Sequence, residues 1–434
     1  MSNLAPANIE TVRQRVVVFV FVTAFLDLIG FGIVLPLLPF YVDQMGGSAE
    51  TVGFIFMCFS LTQLAATPVL GRMSDRYGRR KVILVSLAGN AAAMVAFALA
   101  TEIRYLPLLF ASRIFAGATS GNLAACQAAI SDVTNEQNRA EAMGRLGAGI
   151  NLGLILGPLL GGALSEIGPW APPLGAGALA LVDLVCAFFL MPETRRLRTT
   201  PTAAAAPLDA TTMLGTVEPS TVGFSSEPPA HDFSAAEAGS KQSLLRSLAS
   251  RPVIAVLFAN FLTFLCITNL QVALGLLAKR ELDWGTREVG GLFSIFALLS
   301  FTVQAFLIGR LVRRFREAPL VIVGSSCSAV GLLLIGLGHS AAALVIGVAI
   351  FGAGFGMSLP PLASLASLAA SEGTRGFVLG LAQSSGGLAR ALGPLLSGVL
   401  FRRVAPSAPF LGGAAAALLC AAIGATLRTT SRRP

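Results

Sequence analysis

Residues 16–40 read VVVFVFVTAFLDLIGFGIVLPLLPF, an apolar run that holds one carboxylate, Asp27. As an α-helix this run rises about 37 Å, more than the roughly 30 Å of hydrocarbon in a bilayer. Asp27 lies eleven residues past Val16, about 16 Å along the axis and close to the middle of the layer. An ion at that depth costs about 2.5 to 3.5 kcal/mol on insertion scales unless it faces protein, water or a partner. Such a side chain is either a functional site or a structural acid bonded to unwound backbone near Gly30 and Gly32.

The rest of the chain has the same character. Of its 434 residues 54% are apolar and 12% charged, and the mean hydropathy is +0.76, outside the range of soluble domains. Windows of about 20 apolar residues recur. They give twelve spans, at 16–40, 51–70, 82–100, 106–129, 141–165, 172–191, 252–277, 288–308, 319–338, 342–363, 376–400 and 408–427. The first runs through Pro36 and Pro39 without a small-residue cleavage site, which predicts a retained span and not a signal peptide.

Twelve spans place both termini on one side. Arg113 and Arg390 lie inside spans, and Arg104, Lys279, Arg280, Arg287, Arg402 and Arg403 lie in loops of the other side. All remaining basic residues fall on the side of the termini, which the positive-inside rule makes cytoplasmic. The net charge of +9 follows from this topology and calls for no nucleic-acid partner. The cysteines, Cys58, Cys126, Cys186, Cys266, Cys327 and Cys420, all fall inside spans as small apolar residues, without metal-ligand or disulfide spacing. Trp170, Trp284, Tyr41 and Tyr105 sit in or beside the outer loops, where interfacial aromatic anchors are expected.

Residues 192–250 are rich in Pro, Ala, Ser and Thr with no apolar period, and read as a disordered cytoplasmic linker. It separates six spans (1–191) from six (251–434). The halves repeat each other: a shift of 236 maps IFAGA (114–118) onto IFGAG (350–354), Arg139 onto Arg375, Gly144 onto Gly380, and GPLLGG (157–162) onto GPLLSG (393–398). A shift of 238 maps GRMSDRYGRR (71–80) onto GRLVRRFREA (309–318). Parallel repeats of this kind imply an axis along the membrane normal and a substrate path between the halves.

Four motifs lie in order along the first half. Span 1 carries D-x-x-G-x-G-x-x-x-P-x-x-P as Asp27, Gly30, Gly32, Pro36 and Pro39. The loop after span 2 reads GRMSDRYGRRK (71–81). Span 4 carries R-x-x-x-G as Arg113 and Gly117 and ends in SDVT (131–134). Span 5 carries G-x-x-x-G-P-x-x-G-G as Gly153, Gly157, Pro158, Gly161 and Gly162, and PET (192–194) follows span 6. Together these resemble the major facilitator superfamily, and within it the drug/proton antiporters of the tetracycline-efflux type. The resemblance implies an all-α membrane protein of two pseudo-symmetric six-helix bundles around a central cavity. Where those exporters carry an acid in span 3, this chain has Ala93 within SLAGNAAAM (86–94), and span 6 holds Asp183 where an amide is more usual.

Within GRMSDRYGRRK, Gly71 and Gly78 are expected to make tight turns, and Asp75 stands among Arg72, Arg76, Arg79, Arg80 and Lys81. The basic residues read equally as a positive-inside anchor. The resemblance implies that Asp75 meets the N-terminal end of span 11, near Gly376 and Phe377, where the helix macrodipole favours an anion, so that the motif gates the cytoplasmic face. In span 5, Gly149, Gly153, Gly157 and Gly161 recur every fourth residue and line one face, along which another backbone can approach. Arg113 is the expected partner of Asp27, because arginine keeps its charge inside the membrane. Asp183 and Arg390 are the secondary intramembrane charges. Gln63, Asn122, Gln127, Asn151, Asn260, Asn269, Gln271, Gln304 and Gln383 are candidates to line the cavity or to bond neighbouring helices.

These residues predict a membrane transporter that exports a small amphipathic compound in exchange for protons, working as a monomer in the cell membrane, with no cofactor and no metal. A symporter importing a metabolite, and a transport-dead sensor or scaffold, remain as alternatives. An enzyme is not indicated, since the two histidines, His231 and His339, belong to no nucleophile and base cluster.

Overall fold

The computed structural model describes residues 6–134, 136–194, 250–370 and 375–430. They form twelve helical spans. α1 is Pro6–Val34 continued by Leu38–Gln44, α2 Ala49–Tyr77, α3 Arg79–Glu102, α4 Leu106–Thr119 and Asn122–Val133, α5 Glu136–Ser165, and α6 Ala171–Leu190. α7 is Arg251–Leu282, α8 Thr286–Thr302 followed by a π turn at Val303–Leu307 and by Ile308–Phe315, α9 Glu317–Leu337, α10 Ala341–Ala369, α11 Arg375–Arg403 and α12 Ala408–Thr430. Ten of these spans are long and apolar enough to cross a bilayer. The other two are α4, which is broken, and α11, which carries Arg390. The linker expected at 192–250 falls, from 195 to 249, outside the described residues.

The spans pack as two bundles of six with the same internal plan. α1 packs on α5, α2 on α4 and α3 on α6, and six helices later α7 packs on α11, α8 on α10 and α9 on α12. The bundles meet through α2 against α11 and α5 against α8, which also exchange under a shift of six. The duplication read from the motifs is therefore a duplication of packing.

Lipid offers no hydrophobic drive between helices, so close packing has to come from small residues. The span 5 glycines supply it. A methyl group added at Gly149, Gly153 or Gly157 would lie 2.7, 2.7 and 2.6 Å from the carbonyl oxygens of Phe21, Phe25 and Ile29, and one at Gly161 would strike that of Ile33. Two backbones thus run in register, every fourth residue of α5 against every fourth residue of α1. Residues 23 and 27 lie about 200° round the helix from 25 and 29, so Thr23 and Asp27 face away from α5.

We call the face where α1 begins and α12 ends the near face, and its opposite the far face. Toward the far face the apolar core is continuous across both bundles, with Ile33, Leu37, Val52 and Ile55 joined to Leu270, Leu274 and Val289. Toward the near face the first bundle has a separate core of its own, including Val16, Val20, Ile83, Leu87 and Ile130. Between the bundles, Gly53 abuts Pro394 and Leu395, and Gly398 abuts Ala49. Gly71, Gly147, Gly309 and Gly380, nearer the other face, meet nothing within 4 Å. The molecule is closed at the far face and parted at the near one.

Three expectations are corrected. Gly71 makes no turn, because α2 runs helical through it to Tyr77; the turn is made by Gly78 alone, whose φ of +107° suits glycine. Span 4 is interrupted at Ser120 and Gly121, where Ser120 turns its hydroxyl back onto Ala116 O (2.8 Å). Tyr41 is no interfacial anchor: it is 2% exposed and meets Phe97 edge to face at 5.5 Å.

The α1–α5 contact predicts opposite outcomes for two glycines of one helix. Gly157→Ala should cost about 1 to 3 kcal/mol by overpacking, whereas Gly147→Ala, in open space, should be neutral or gain up to about 1 kcal/mol. Thermal unfolding of both variants in detergent checks this.

Candidate functional site

The away-facing side of α1 builds a polar cluster, half-buried at Asp27 and Asn90 and buried at Thr23, Asn122 and Asp183. Asn90 on α3 donates its amide to Asp27 Oδ1 at 3.3 Å, and the Asn122 side chain bonds Asp27 as well. One turn along, Thr23 Oγ1 donates to Asp183 Oδ1 at 2.9 Å. Asp183 is fully buried, and its Oδ2 has no hydrogen-bond partner. The break in α4 creates this arrangement by making Asn122 the first residue of a new helical segment. Asn122 lies sixteen residues in from the far end of α4, and Asp27 seventeen from the far end of α1, both about 25 Å deep.

Depth also explains why Arg113 does not meet Asp27. It stands seven residues into α4, about 10 Å from the far end and some 15 Å short of Asp27. It is 6% exposed, its guanidinium lies 4.4 Å from the centre of the Phe97 ring, and Nη2 approaches Met94 Sδ at 3.5 Å. Together with Phe31, Val34, Leu35, Leu38, Ile55, Phe56 and Phe59 it lines a pocket. Arg390 on α11 is likewise set over a ring, 4.8 Å from Phe264.

At the near face the GRMSDRYGRRK residues form a network inside the first bundle. Arg79 donates to Asp75 Oδ1 (2.6 Å), to Asp132 Oδ2 (2.9 Å) and to Ser74 Oγ (3.2 Å), and its backbone N–H donates to Glu193 (3.0 Å). Glu193 also occupies the space a Cβ at Gly78 would need. Arg80 bonds the Phe188 carbonyl, and Arg76 lies 5.5 Å from the Tyr77 ring centre. The Asp75 side chain is 66% exposed. It lies at the parted face.

The far face carries ion pairs that the sequence reading did not anticipate. Glu50 of α2 meets Arg403 (2.6 Å) and Arg402 (3.0 Å) of α11; Asp43 meets Lys279 (2.5 Å); Glu166 meets Arg287 (2.8 Å). In each, the first bundle supplies the acid and the second the base. Ser165 and Thr286 add a hydroxyl contact at 2.5 Å. The span 5 motif reaches this seam too, with Gly290 of α8 against the Pro158 carbonyl and Gly162 against Arg287.

The polar candidates divide. Asn260 donates to Ala382 O (2.7 Å), Asn151 to Gly147 O (2.8 Å) and Gln304 to Ser300 Oγ (2.9 Å), so all three serve their own bundle. Asn269 is 2% exposed within the second bundle's core, against Gly413 of α12. Gln127 and Gln383 are exposed, and Gln63 and Gln271 half-buried.

A family model of the Major Facilitator Superfamily matches residues 20–394 and 256–434. The chain belongs to that superfamily. It is 27% identical to the class C tetracycline resistance protein of Escherichia coli, over 92% of this chain and 93% of that one. It is 28% identical to major facilitator superfamily domain-containing protein 10 of Homo sapiens, over 91% and 89%. The crystal structure of the human organic anion transporter MFSD10 (TETRAN) superposes with a TM-score of 0.65 at 26% identity, over 95% of this chain and 99% of that one. A D-xylose-proton symporter shares the fold, with a TM-score of 0.73 at 17% identity over 95% and 97%.

If the two faces open in turn, the ion pairs of the far face should bias that equilibrium. Glu50→Gln should weaken two ion pairs of the closed face and shift the population toward far-side opening by up to about fivefold. Asp75→Asn, at the parted face, is expected to shift the same equilibrium the other way. Spin-label distances across each face check both signs.

Proposed function

We propose that this protein exports a small amphipathic compound in exchange for protons by alternating access, as a monomer in the cell membrane with both termini in the cytoplasm. The far face is then the external one, and the structure is in its inward-open state. Among its relatives are proteins named for tetracycline resistance and a human transporter named for organic anions, which supports a small organic substrate here. The span 5 motif supports export over proton-driven import.

The observation that carries the reading is the company Asp27 keeps. A carboxylate held by a fixed guanidinium stays ionised, and protonation would break the pair. Asp27 is held by the amides of Asn90 and Asn122 instead. An amide can donate to a carboxylate through its NH2 or accept from a carboxylic acid through its carbonyl. Both protonation states can therefore be satisfied in one pocket, as a site that loads and unloads a proton requires. Asp183, one turn away through Thr23, is the second acid of the cluster.

Alternation needs two gates. The external gate is the acid and base seam of the far face. The internal gate is Asp75 with Gly78, Arg76, Arg79 and Arg80, which on closing would bring Asp75 to the first turn of α11, where the helix dipole favours an anion.

Asp27→Asn keeps the volume and the hydrogen bonding but removes the titration. It should insert and fold as the wild type does and lose uphill transport driven by an imposed pH gradient in proteoliposomes, while downhill exchange persists. Full gradient-driven transport by the variant would make Asp27 structural. Everted vesicles fix the direction: substrate uptake on acidifying the lumen is the expected result, and proton-dependent loss from the lumen would favour the import reading.

A further inference from the structure

The exchange scheme makes no use of Arg113. Its guanidinium is buried, its Nε has no hydrogen-bond partner, and no carboxylate among the described residues pairs with it. Its polar contact is the weak acceptor Met94 Sδ, and its remaining support is the face of Phe97. Arginine keeps its charge in such surroundings, so the desolvation cost of the cation stands unless a counter-charge comes from outside the chain. The same guanidinium is the one charged member of a pocket otherwise walled by apolar side chains of α1 and α2, among them Phe31, Val34, Leu38, Ile55, Phe56 and Phe59. Phe31 and Phe59 approach each other at 6.2 Å, a tilted aromatic wall.

We infer that this pocket is the substrate site and that its occupant is an amphipathic organic anion, with a carboxylate or sulfonate on Arg113 and an aromatic or aliphatic body against the phenylalanines; this rests on the reading of the chain as an exporter of amphipathic compounds. A guanidinium with an unpaired N–H offers charge-assisted hydrogen bonds to such a group. The apolar walls supply the remainder of the affinity and give a fully polar anion such as phosphate little to bind. The two charges, separated along the cavity, then act on different cargo. Asp27 takes the proton, and Arg113 takes the substrate.

The test is a matched pair of probes, 2-naphthalenesulfonate and the uncharged 2-naphthalenesulfonamide, titrated calorimetrically into the purified full-length protein. The sulfonate should bind at least tenfold more tightly. Arg113→Gln should abolish that preference with the sulfonamide unchanged, and Arg113→Lys should retain part of it. Ile55→Trp, which fills the pocket and leaves the charge, should weaken both probes. Equal binding of the two probes to the wild type overturns the inference, as does a preference that survives Arg113→Gln. Should Arg113→Gln fail to fold, as its melting curve would show, sulfonate affinity undiminished in Ile55→Trp overturns it. Sulfonate that binds through Arg113 but is not moved by a pH gradient in proteoliposomes would overturn the exchange reading and leave this one standing.

Discussion

The contact on which the rest depends is the approach of α1 to α5, backbone against backbone, along Gly149, Gly153, Gly157 and Gly161. In a bilayer this contact cannot rely on excluding water, so its closeness is what stabilises it and what fixes register. Once register is fixed, the face of α1 opposite α5 is fixed too. Thr23 and Asp27 must then point into the bundle, toward α3, α4 and α6, where Asn90, Asn122 and Asp183 wait. The far end of α5 meets α8 of the other bundle at Pro158, Gly162, Gly290 and Arg287. One helix therefore borders both the helix that carries the acid and the seam between the bundles.

The seam suits motion because its parts are individually weak. Exposed ion pairs contribute about 0.2 to 1 kcal/mol each, so the pairs of the far face bias the closed state without locking it. The apolar core shared by the bundles at that end adds to the bias. At the near face the charges satisfy one another within the first bundle, Arg79 binding Asp75 and Asp132 together, and so leave the cavity parted without stranding a buried ion.

Much of this is legible in the sequence. Spans follow from apolar length, the duplication from matched motifs, and the α5 contact from a four-residue glycine period, because each is a local regularity of the chain. Depth and partnership are not local, and there the sequence misleads. Arg113 and Asp27 share a membrane and opposite charges, but only a residue count from the helix ends shows them about 15 Å apart in height. Asn90 stands in the same SLAGNAAAM stretch that is conspicuous for its missing acid, one turn before Ala93; its amide among small residues is the available signal. The far-face pairs join residues more than a hundred positions apart through loops without motif, so only the packed bundles could bring Glu50 to Arg402 and Arg403. Asn260 and Gln304 look like cavity polars by composition and turn out to satisfy their own bundle.

The central claim is that the proton which biases alternation resides on Asp27. Spin-label distances across the near and far faces, followed from pH 5 to pH 8 without substrate, test it most directly. In the wild type the proportion of near-open to far-open molecules should change with pH, and in Asp27→Asn it should be flat and fixed at the wild-type acid limit. A variant that titrates as the wild type does would contradict the account and move the proton to another acid, with Asp183 the first to examine.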